Sequence, residues 1–149
     1  MDQTITGLSK TNFHGVVNIV WQIMNAGDSS VVRTRATAEE YVKDNSLRFR
    51  VLESGGEVLG MYSYKTGDVN TISFFGLLPL ARSSRRGYAL YRDMYTHLSG
   101  KPTFIIVYDN NKDMKKVVSK RAEHIGNYLS KDGEILNYYM LNFKNEDWK

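Results

Sequence analysis

The hydrophobic pattern in the middle of the chain changes its period once, at Pro79. Before Pro79, three runs of alternating apolar and polar residues are separated by the short turns Ser54–Glu57 and Lys65–Asp68, which predicts an antiparallel meander. After it, apolar residues recur at helical spacing over Gly87–Leu98. The continuous apolar run Thr103–Tyr108 then has the composition of a central strand. The pattern therefore predicts antiparallel strands joined to a βαβ unit.

The flanking segments extend this pattern to both ends of the chain. Helices are predicted over Phe13–Met24, from apolar spacing, and from the capping-box pattern Thr37–Glu40. Terminal strands are predicted over Gln3–Leu8 and Asn137–Phe143. A helix after Asn111 is predicted to bury one apolar face, formed by Met114, Val117, Val118 and Ile125. The expected fold class is α+β, with a mixed, mostly antiparallel central sheet of about seven strands flanked by about four helices.

Composition narrows the class of protein. The 149 residues are 42% hydrophobic and 24% charged, which predicts one globular domain over residues 1–149. No apolar stretch approaches the roughly 20 residues of a membrane helix, and the first residues do not resemble a signal peptide, so we expect a soluble, cytoplasmic protein. The chain has no cysteine, and its three histidines lack metal-ligand spacing; we expect no metal site, no disulfide and no cysteine nucleophile.

Positive charge is concentrated in one segment. Residues 82–121 contain ten lysines and arginines against three aspartates, whereas the whole chain carries a formal charge of only +4. Such a local field favours an anionic partner, which includes a phosphate-bearing cofactor, nucleic acid or an acidic protein surface. No RNA-binding or helix-turn-helix motif supports nucleic acid specifically.

The segment between the third meander strand and the following helix carries the chemistry. It reads Leu77-Leu78-Pro79-Leu80-Ala81-Arg82-Ser83-Ser84-Arg85-Arg86-Gly87-Tyr88-Ala89. A helix start offers unpaired N–H groups and the positive end of the helix dipole, glycine permits close approach, and arginine adds forked hydrogen bonds, so a phosphate is stabilised there. The spacing matches neither a Walker loop nor the dinucleotide GxGxxG motif. An exposed basic loop with Ser84 as an ordinary cap is the alternative.

Taken together, these segments resemble the GNAT superfamily of acetyl-CoA-dependent N-acetyltransferases over nearly the full chain. Leu77-Leu78-Pro79 stands at the family's V-x-P strand end, and Arg82 and Gly87 stand at two marked positions of its [QR]-x-x-G-x-[GA] pyrophosphate loop. Val107–Asn111 resembles its V-x-x-x-N strand exit. Arg85 replaces the first glycine of the loop, and a register that begins at Ser84 keeps both small residues but loses the arginine.

The resemblance implies roles for particular residues. It implies that backbone groups near Leu77 and Leu78 hold the pantetheine arm and the thioester. Tyr108 and Asp109 lie at the exit of the apolar strand, near the expected thioester, and are the candidate proton donor to the sulfur and proton acceptor from the amine. The cofactor-binding set that it implies is Leu77, Leu78, Arg82, Ser83, Ser84, Arg85, Arg86, Gly87, Tyr88, Ala89 and Asn111. The structural alternatives are a helix N-cap for Asp109 and Asn111, which aspartate and asparagine favour, and a packed aromatic ring for Tyr108.

One family feature is missing. About seven residues after Asn111 the family often has a tyrosine that acts as general acid, whereas this chain has Val118. Two functions from different classes therefore stay open. The first is an N-acetyltransferase that moves an acetyl group from acetyl-CoA to a primary amine on a small molecule or a protein, with Trp21, Tyr41 and Arg33–Arg35 near the acceptor and a homodimer as one assembly. The second is an inactive basic module that binds nucleic acid or a protein.

Overall fold

The computed structural model describes residues 3–25, 33–78, 85–131, 133–144 and 148, and only the backbone of Arg85 and Arg86. The strands are β1 (Gln3–Thr6), β2 (Arg48–Ser54), β3 (Glu57–Thr66), β4 (Asn70–Leu77), β5 (Thr103–Tyr108), β6 (Ala122–Leu129) and β7 (Ile135–Leu141). The helices are α1 (Phe13–Met24), α2 (Arg35–Val42), α3 (Arg85–Leu98) and α4 (Lys112–Ser119). The expected fold class and order of elements are confirmed.

All seven strands join one sheet in the order β1-β2-β3-β4-β5-β7-β6. Among the described strands, only β4 and β5 run parallel, and every other neighbouring pair is antiparallel. The exception follows from chain connectivity, because β4 and β5 are joined through α3 and a helical crossover returns the chain in the same direction. The apolar run Thr103–Tyr108 is accordingly the central strand β5, with a partner on each side.

The two faces of the sheet carry separate cores. Alternate residues of a strand point to opposite faces, and in β3 Met61 packs in one core while Tyr62 packs in the other. The first core includes buried residues of α1 and α2, and the second includes Leu90, Met94 and Leu98 of α3. The helical spacing in the sequence predicted that these three α3 side chains lie on one apolar face of the helix.

Two glycines allow α1 to lie close to the sheet. A Cβ on Gly76 of β4 would overlap the side chain of Ile23, and a Cβ on Gly15 of α1 would overlap Val58 of β3. Neither position has room for a larger residue unless the helix moves. The carboxyl end of α1 is therefore held against the second half of β4.

Several predicted helix ends are wrong. Thr34, not Thr37, caps α2: its side chain accepts a hydrogen bond from the Thr37 amide at 3.3 Å. The predicted stop of α1 at Gly27 lies outside the described residues; α1 ends at Met24. Ile125, expected on the buried face of the last helix, belongs to β6, because residues 122–129 pair with β7 and α4 ends at Ser119.

A buried carboxylate fastens α3 to the meander. Asp93 accepts two hydrogen bonds from Arg50 of β2, both at 3.0 Å, and one from the Tyr62 hydroxyl of β3 at 2.6 Å. His97 lies 3.3 Å away, one turn further along α3. Burial acts to raise the pKa of Asp93, but the hydrogen bonds from Arg50 and Tyr62 and the charges of Arg50 and His97 outweigh it, so the pKa is lowered.

Replacing Asp93 by asparagine is expected to lower the free energy of unfolding by about 2–3 kcal/mol near pH 7, because hydrogen bonds to a charged group are lost. A lowered pKa in the folded state stabilises the fold above the unfolded value of about 3.9, and the contribution is lost as pH falls through the folded value. Urea unfolding at pH 3 to 7 measures how the free energy of unfolding of each protein depends on pH.

The matched control is Asp68→Asn, a change at an exposed turn residue. The gap in stability between wild type and Asp93→Asn should narrow below about pH 4, whereas Asp68→Asn should track wild type throughout. A constant gap at every pH would show that the asparagine acts through packing and not through the lost charge.

Candidate functional site

The parallel pairing of β4 and β5 is short. It covers three register positions, from Asn70 opposite Thr103 to Ile72 opposite Ile105. β4 continues for five residues to Leu77, and β5 continues for three to Tyr108, without further pairing between them. We call the space between these two strand ends the β4–β5 gap. Ligands of open α/β sheets bind outside the carboxyl ends of parallel strands, which is where this gap lies.

An extra residue in β4 starts the divergence. Tyr64 of β3 pairs with Ile72 and Ser63 pairs with Phe74, so Ser73 has no counterpart and forms a β-bulge. A bulge bends its strand and increases the local twist. The bulge follows Ile72 directly, and Ile72 is the last residue of β4 that pairs with β5. The bend therefore coincides with the opening of the gap.

Backbone direction distinguishes the two leucines at the end of β4. The Leu78 amide donates to the carbonyl oxygen of Leu59 on β3 at 2.8 Å. This bond corrects the expectation that the Leu78 amide serves a bound thioester. Neighbouring residues of an antiparallel ladder direct their backbone groups to opposite edges, so Leu77 directs its N–H group away from β3, toward the gap.

The first turn of α3 contains much of the expected phosphate-binding segment. Arg82, Ser83 and Ser84 lie outside the described residues, whereas Arg85 and Arg86 begin α3, and no acidic residue occupies its first turn. Gly87 is buried, Ala89 is half-buried against the core, and Tyr88 is exposed and contacts Tyr91 edge to face. A helix start with this charge favours an anion.

On the other side of the gap, an arginine lies against the candidate proton donor. The Arg33 guanidinium lies 5.4 Å from the centre of the Tyr108 ring, at cation–π distance. Its Nη2 donates to Glu134 Oε2 at 2.9 Å, and its Nη1 donates to the Met24 carbonyl at 3.2 Å. Arg33 therefore joins the end of α1, the exit of β5 and the β6–β7 turn.

Glu134 is a site residue that the sequence analysis missed. Arg33 and Glu134 are 101 positions apart in the chain and form an ion pair whose side chains are only 13% and 11% exposed. Neither residue stands in a motif, so no local signal links them. Glu134, in the β6–β7 turn, therefore lies at one side of the predicted acceptor region around Arg33.

Asp109 has partners that limit its use as a base. Its Oδ1 accepts from Lys115 Nζ at 2.8 Å and from Asn137 Nδ2 at 3.1 Å. These hydrogen bonds and the charge of Lys115 lower the pKa of Asp109. The carboxylate is consequently a weak proton acceptor. The structural alternative for Asp109 is also wrong, because the N-cap of α4 is Asn111, whose side chain accepts from the Met114 amide at 3.2 Å.

Known structures share this arrangement of elements. A GNAT-family acetyltransferase from Bacillus cereus is 16% identical with a TM-score of 0.67, over 95% of this chain and 98% of that one. The ribosomal-protein-S18-alanine N-acetyltransferase from Escherichia coli is 15% identical with a TM-score of 0.67, over 94% and 93%. A spermidine N-acetyltransferase chimera that includes the Vibrio cholerae enzyme is 10% identical with a TM-score of 0.65, over 97% and 98%.

This chain has the GNAT fold. No family model and no curated protein matches its sequence. At identities of 10 to 16%, the similarity to the three structures is one of architecture. The residues of this chain must therefore carry any argument about activity.

Within the GNAT fold, α4 offers no acid at the usual place. Val118 is 6% exposed and packs in the core together with α3. The neighbouring Ser119 is exposed and donates to the Lys116 carbonyl at 3.0 Å. His124 and Tyr128 lie on β6 and not on a helix.

The residues expected near the acceptor have separate surroundings. The Trp21 ring nitrogen donates to the Arg33 carbonyl at 3.0 Å, and the ring is 39% exposed. The Tyr41 hydroxyl lies 2.8 Å from Ser63 Oγ and also interacts with Ser73 at the bulge. Burial raises the pKa of Tyr41 to about 12 despite these hydrogen bonds. Tyr41 therefore supports the bulge from α2.

Among the described residues, no three His, Asp or Glu side chains come close enough together to hold a metal ion. None of the described helices is both long and apolar enough to span a membrane.

Replacing Lys115 by methionine is expected to raise the pKa of Asp109 toward its ordinary value, because the change removes the first of the contacts that lower it. Carboxyl-carbon NMR titration of Asp109 measures the shift. Lys112→Met, on the same helix, is the matched control and should leave the titration unchanged. An unchanged titration in Lys115→Met would mean that Asn137 alone sets the pKa.

Proposed function

We propose that this protein is an N-acetyltransferase that moves an acetyl group from acetyl-CoA to a primary amine. The observation that carries the proposal is the β4–β5 gap, which opens at the carboxyl ends of the only parallel strand pair. α3, the helix that connects those strands, starts with two arginines and a buried glycine. A pyrophosphate at this helix start and an extended arm in the gap fit these features.

The reaction needs few groups from the protein. The acceptor nitrogen attacks the thioester carbonyl carbon, a C–N bond forms, the C–S bond breaks, the nitrogen loses a proton and the sulfur gains one. Charge develops on the carbonyl oxygen, and a backbone N–H fixed in a strand stabilises it without reorganisation. In the proposal, a backbone amide at the end of β4 takes this role, and it is not the amide of Leu78, which is bonded to β3.

Tyr108 is the proposed proton donor to the sulfur. It ends β5 at the gap and carries a phenol hydroxyl, and the apolar Val118 replaces the helix tyrosine. Asp109 remains ionised beside Lys115 and is a poor base, so the proposal gives the amine proton to water. The Arg33 guanidinium against the Tyr108 ring holds that ring in place.

The names of the similar solved structures indicate which classes of acceptor amine to test. One is named for a ribosomal-protein alanine and another for spermidine, which are a protein amine and a small polyamine. Asp109, which follows Tyr108 in the chain, and Glu134, whose partner Arg33 lies over the Tyr108 ring, are both ion-paired. A panel of polyamines, amino acids and peptides with free amino termini would cover both classes.

Arg82→Ala is expected to weaken acetyl-CoA binding about 10- to 100-fold, because a charge-assisted contact of roughly 1.5–3 kcal/mol is lost. Isothermal titration calorimetry measures the Kd. Arg92→Ala removes the same charge at an exposed position of α3 and should change Kd much less. Equal losses of affinity in both variants would mean that only the net charge matters. If the wild-type protein does not bind acetyl-CoA, the proposal is rejected.

Tyr108→Phe is expected to lower kcat by roughly 10²-fold, the lower end of the range for general acid catalysis, because water can replace part of the proton delivery. The phenyl ring preserves the contact with Arg33. Tyr95→Phe, on the second half of α3 against Phe143, is the control. Full activity in Tyr108→Phe would remove the assigned donor.

A protein that binds acetyl-CoA but transfers to none of these amines would favour the second function, an inactive binding module. The buried Val118 is the observation that keeps this alternative open. Binding of a nonhydrolysable acetyl-CoA analogue would show that the chain has a cofactor site, because slow turnover cannot contribute to the signal of such an analogue.

A further inference from the structure

One arginine is buried against α3 without an acidic partner. Arg121, in the turn between α4 and β6, is only 9% exposed. No ion pair or side-chain hydrogen bond among the described residues includes it, and its Nε atom is buried without a partner. Arginine is almost never buried unless it is paired. A buried donor with no acceptor therefore needs an explanation.

Aromatic rings and backbone hydrogen bonds hold Arg121 in place. Its Cζ atom lies 4.1 Å from the centre of the Tyr91 ring on α3 and 5.9 Å from that of the Trp148 ring. Its amide donates to the Val118 carbonyl at 2.9 Å, and its carbonyl accepts from the Asn142 amide at 2.8 Å. The rings stabilise the positive charge. They supply no oxygen for the N–H groups of the guanidinium, which can only donate.

The two aromatic residues supply donors and no negative charge. Trp148 is 3% exposed, and its indole Nε1 is also buried without a hydrogen-bond partner. Burial raises the pKa of Tyr91, although the charge of Arg121 opposes the shift. The Tyr91 phenol therefore stays neutral. We call these three side chains, Arg121, Tyr91 and Trp148, the Arg121 cluster.

Carboxylates on the neighbouring elements are directed elsewhere. Asp93 of α3 is held by hydrogen bonds from Arg50 and Tyr62. Glu123 of β6 follows Ala122, which packs in the core with α3, so Glu123 points to the opposite face of the sheet. The only acidic residue of α4 lies in its first turn, at the far end of the helix from the cluster.

We propose that the Arg121 cluster binds a small oxyanion, a phosphate or carboxylate group, between α3 and the end of α4. The guanidinium matches both groups through forked hydrogen bonds, and the Trp148 indole adds a donor. The cofactor phosphates of the proposed enzyme would lie elsewhere, at the start of α3. The anion site does not depend on acetyltransferase activity.

The two tryptophans of the chain allow a direct test. The Trp148 N–H gains an acceptor when an oxyanion binds, whereas the Trp21 N–H already donates to the Arg33 carbonyl. In proton–nitrogen NMR spectra of the full chain, inorganic phosphate should shift the Trp148 indole signal saturably, with a Kd of about 1 mM or below. The Trp21 signal should stay in place, and sodium chloride at equal ionic strength should shift neither. Acetate, titrated in parallel, shows whether phosphate or carboxylate binds more tightly.

Arg121→Gln is expected to weaken phosphate binding by about tenfold or more, because both the charge and the fork are lost. Arg92→Gln removes the same charge at an exposed position of α3 and should leave the Kd unchanged. Arg82→Ala, which should weaken acetyl-CoA binding, should leave the Trp148 response intact, so the two sites can fail independently. If Arg121→Gln does not fold, Arg121→Lys keeps the charge without the fork and should still weaken binding.

Three results would overturn the proposal. No shift of the Trp148 signal with either anion, or an equal shift with chloride, would make Arg121 a structural side chain held by its rings alone. A response lost in Arg82→Ala and kept in Arg121→Gln would place the anion at the start of α3. Glu146 and Asp147 precede Trp148 in the sequence and lie outside the described residues. Phosphate binding by the double variant Glu146→Gln/Asp147→Asn, with none by wild type, would mean that the chain's own carboxylate serves Arg121.

Discussion

One extra residue in β4 determines where the sheet opens. Ser73 has no counterpart on β3, and the parallel pairing with β5 ends at the preceding Ile72. The hydroxyl of Tyr41, from α2, interacts with Ser63 and Ser73 on the two sides of this bulge. A buried hydroxyl needs such partners, so the bulge and the helix stabilise each other. The position of the gap, and with it the backbone direction of Leu77, depends on this contact.

The two sides of the gap differ in charge. At the start of α3 there is no acidic residue, and the helix dipole adds positive potential. Near Tyr108, each carboxylate has a cationic partner, Glu134 with Arg33 and Asp109 with Lys115. In the proposed reaction, the first end attracts a phosphate group and the other end presents paired charges to the amine. Such pairing holds the walls in place, and at Asp109 it lowers the pKa of the carboxyl group.

The sequence predicted elements whose pattern is local and missed contacts that are not. The buried face of α3 repeats at helical spacing, so Leu90, Met94 and Leu98 were found. β6 is exposed along almost its whole length, so its residues show no alternation, and Ile125 was assigned to a helix. For α2, Thr34 and Thr37 both suit a cap, and only the tertiary position of the helix decides between them. No pattern could link Arg33 with Glu134 across the fold.

The register of α4 explains why the proton donor must come from elsewhere. Asn111 caps this helix through the Met114 amide, which fixes the residue that faces the core at each turn. Val118 then points into the core at 6% exposure, and a shift by one residue would bring only the exposed Ser119 to that place. Valine therefore occupies the position of the family's tyrosine, and the difference does not come from a shift of the helix by one residue. β5 ends at the gap with Tyr108, so the strand exit supplies a phenol there, and in the proposed enzyme the acid has moved from the helix to the strand.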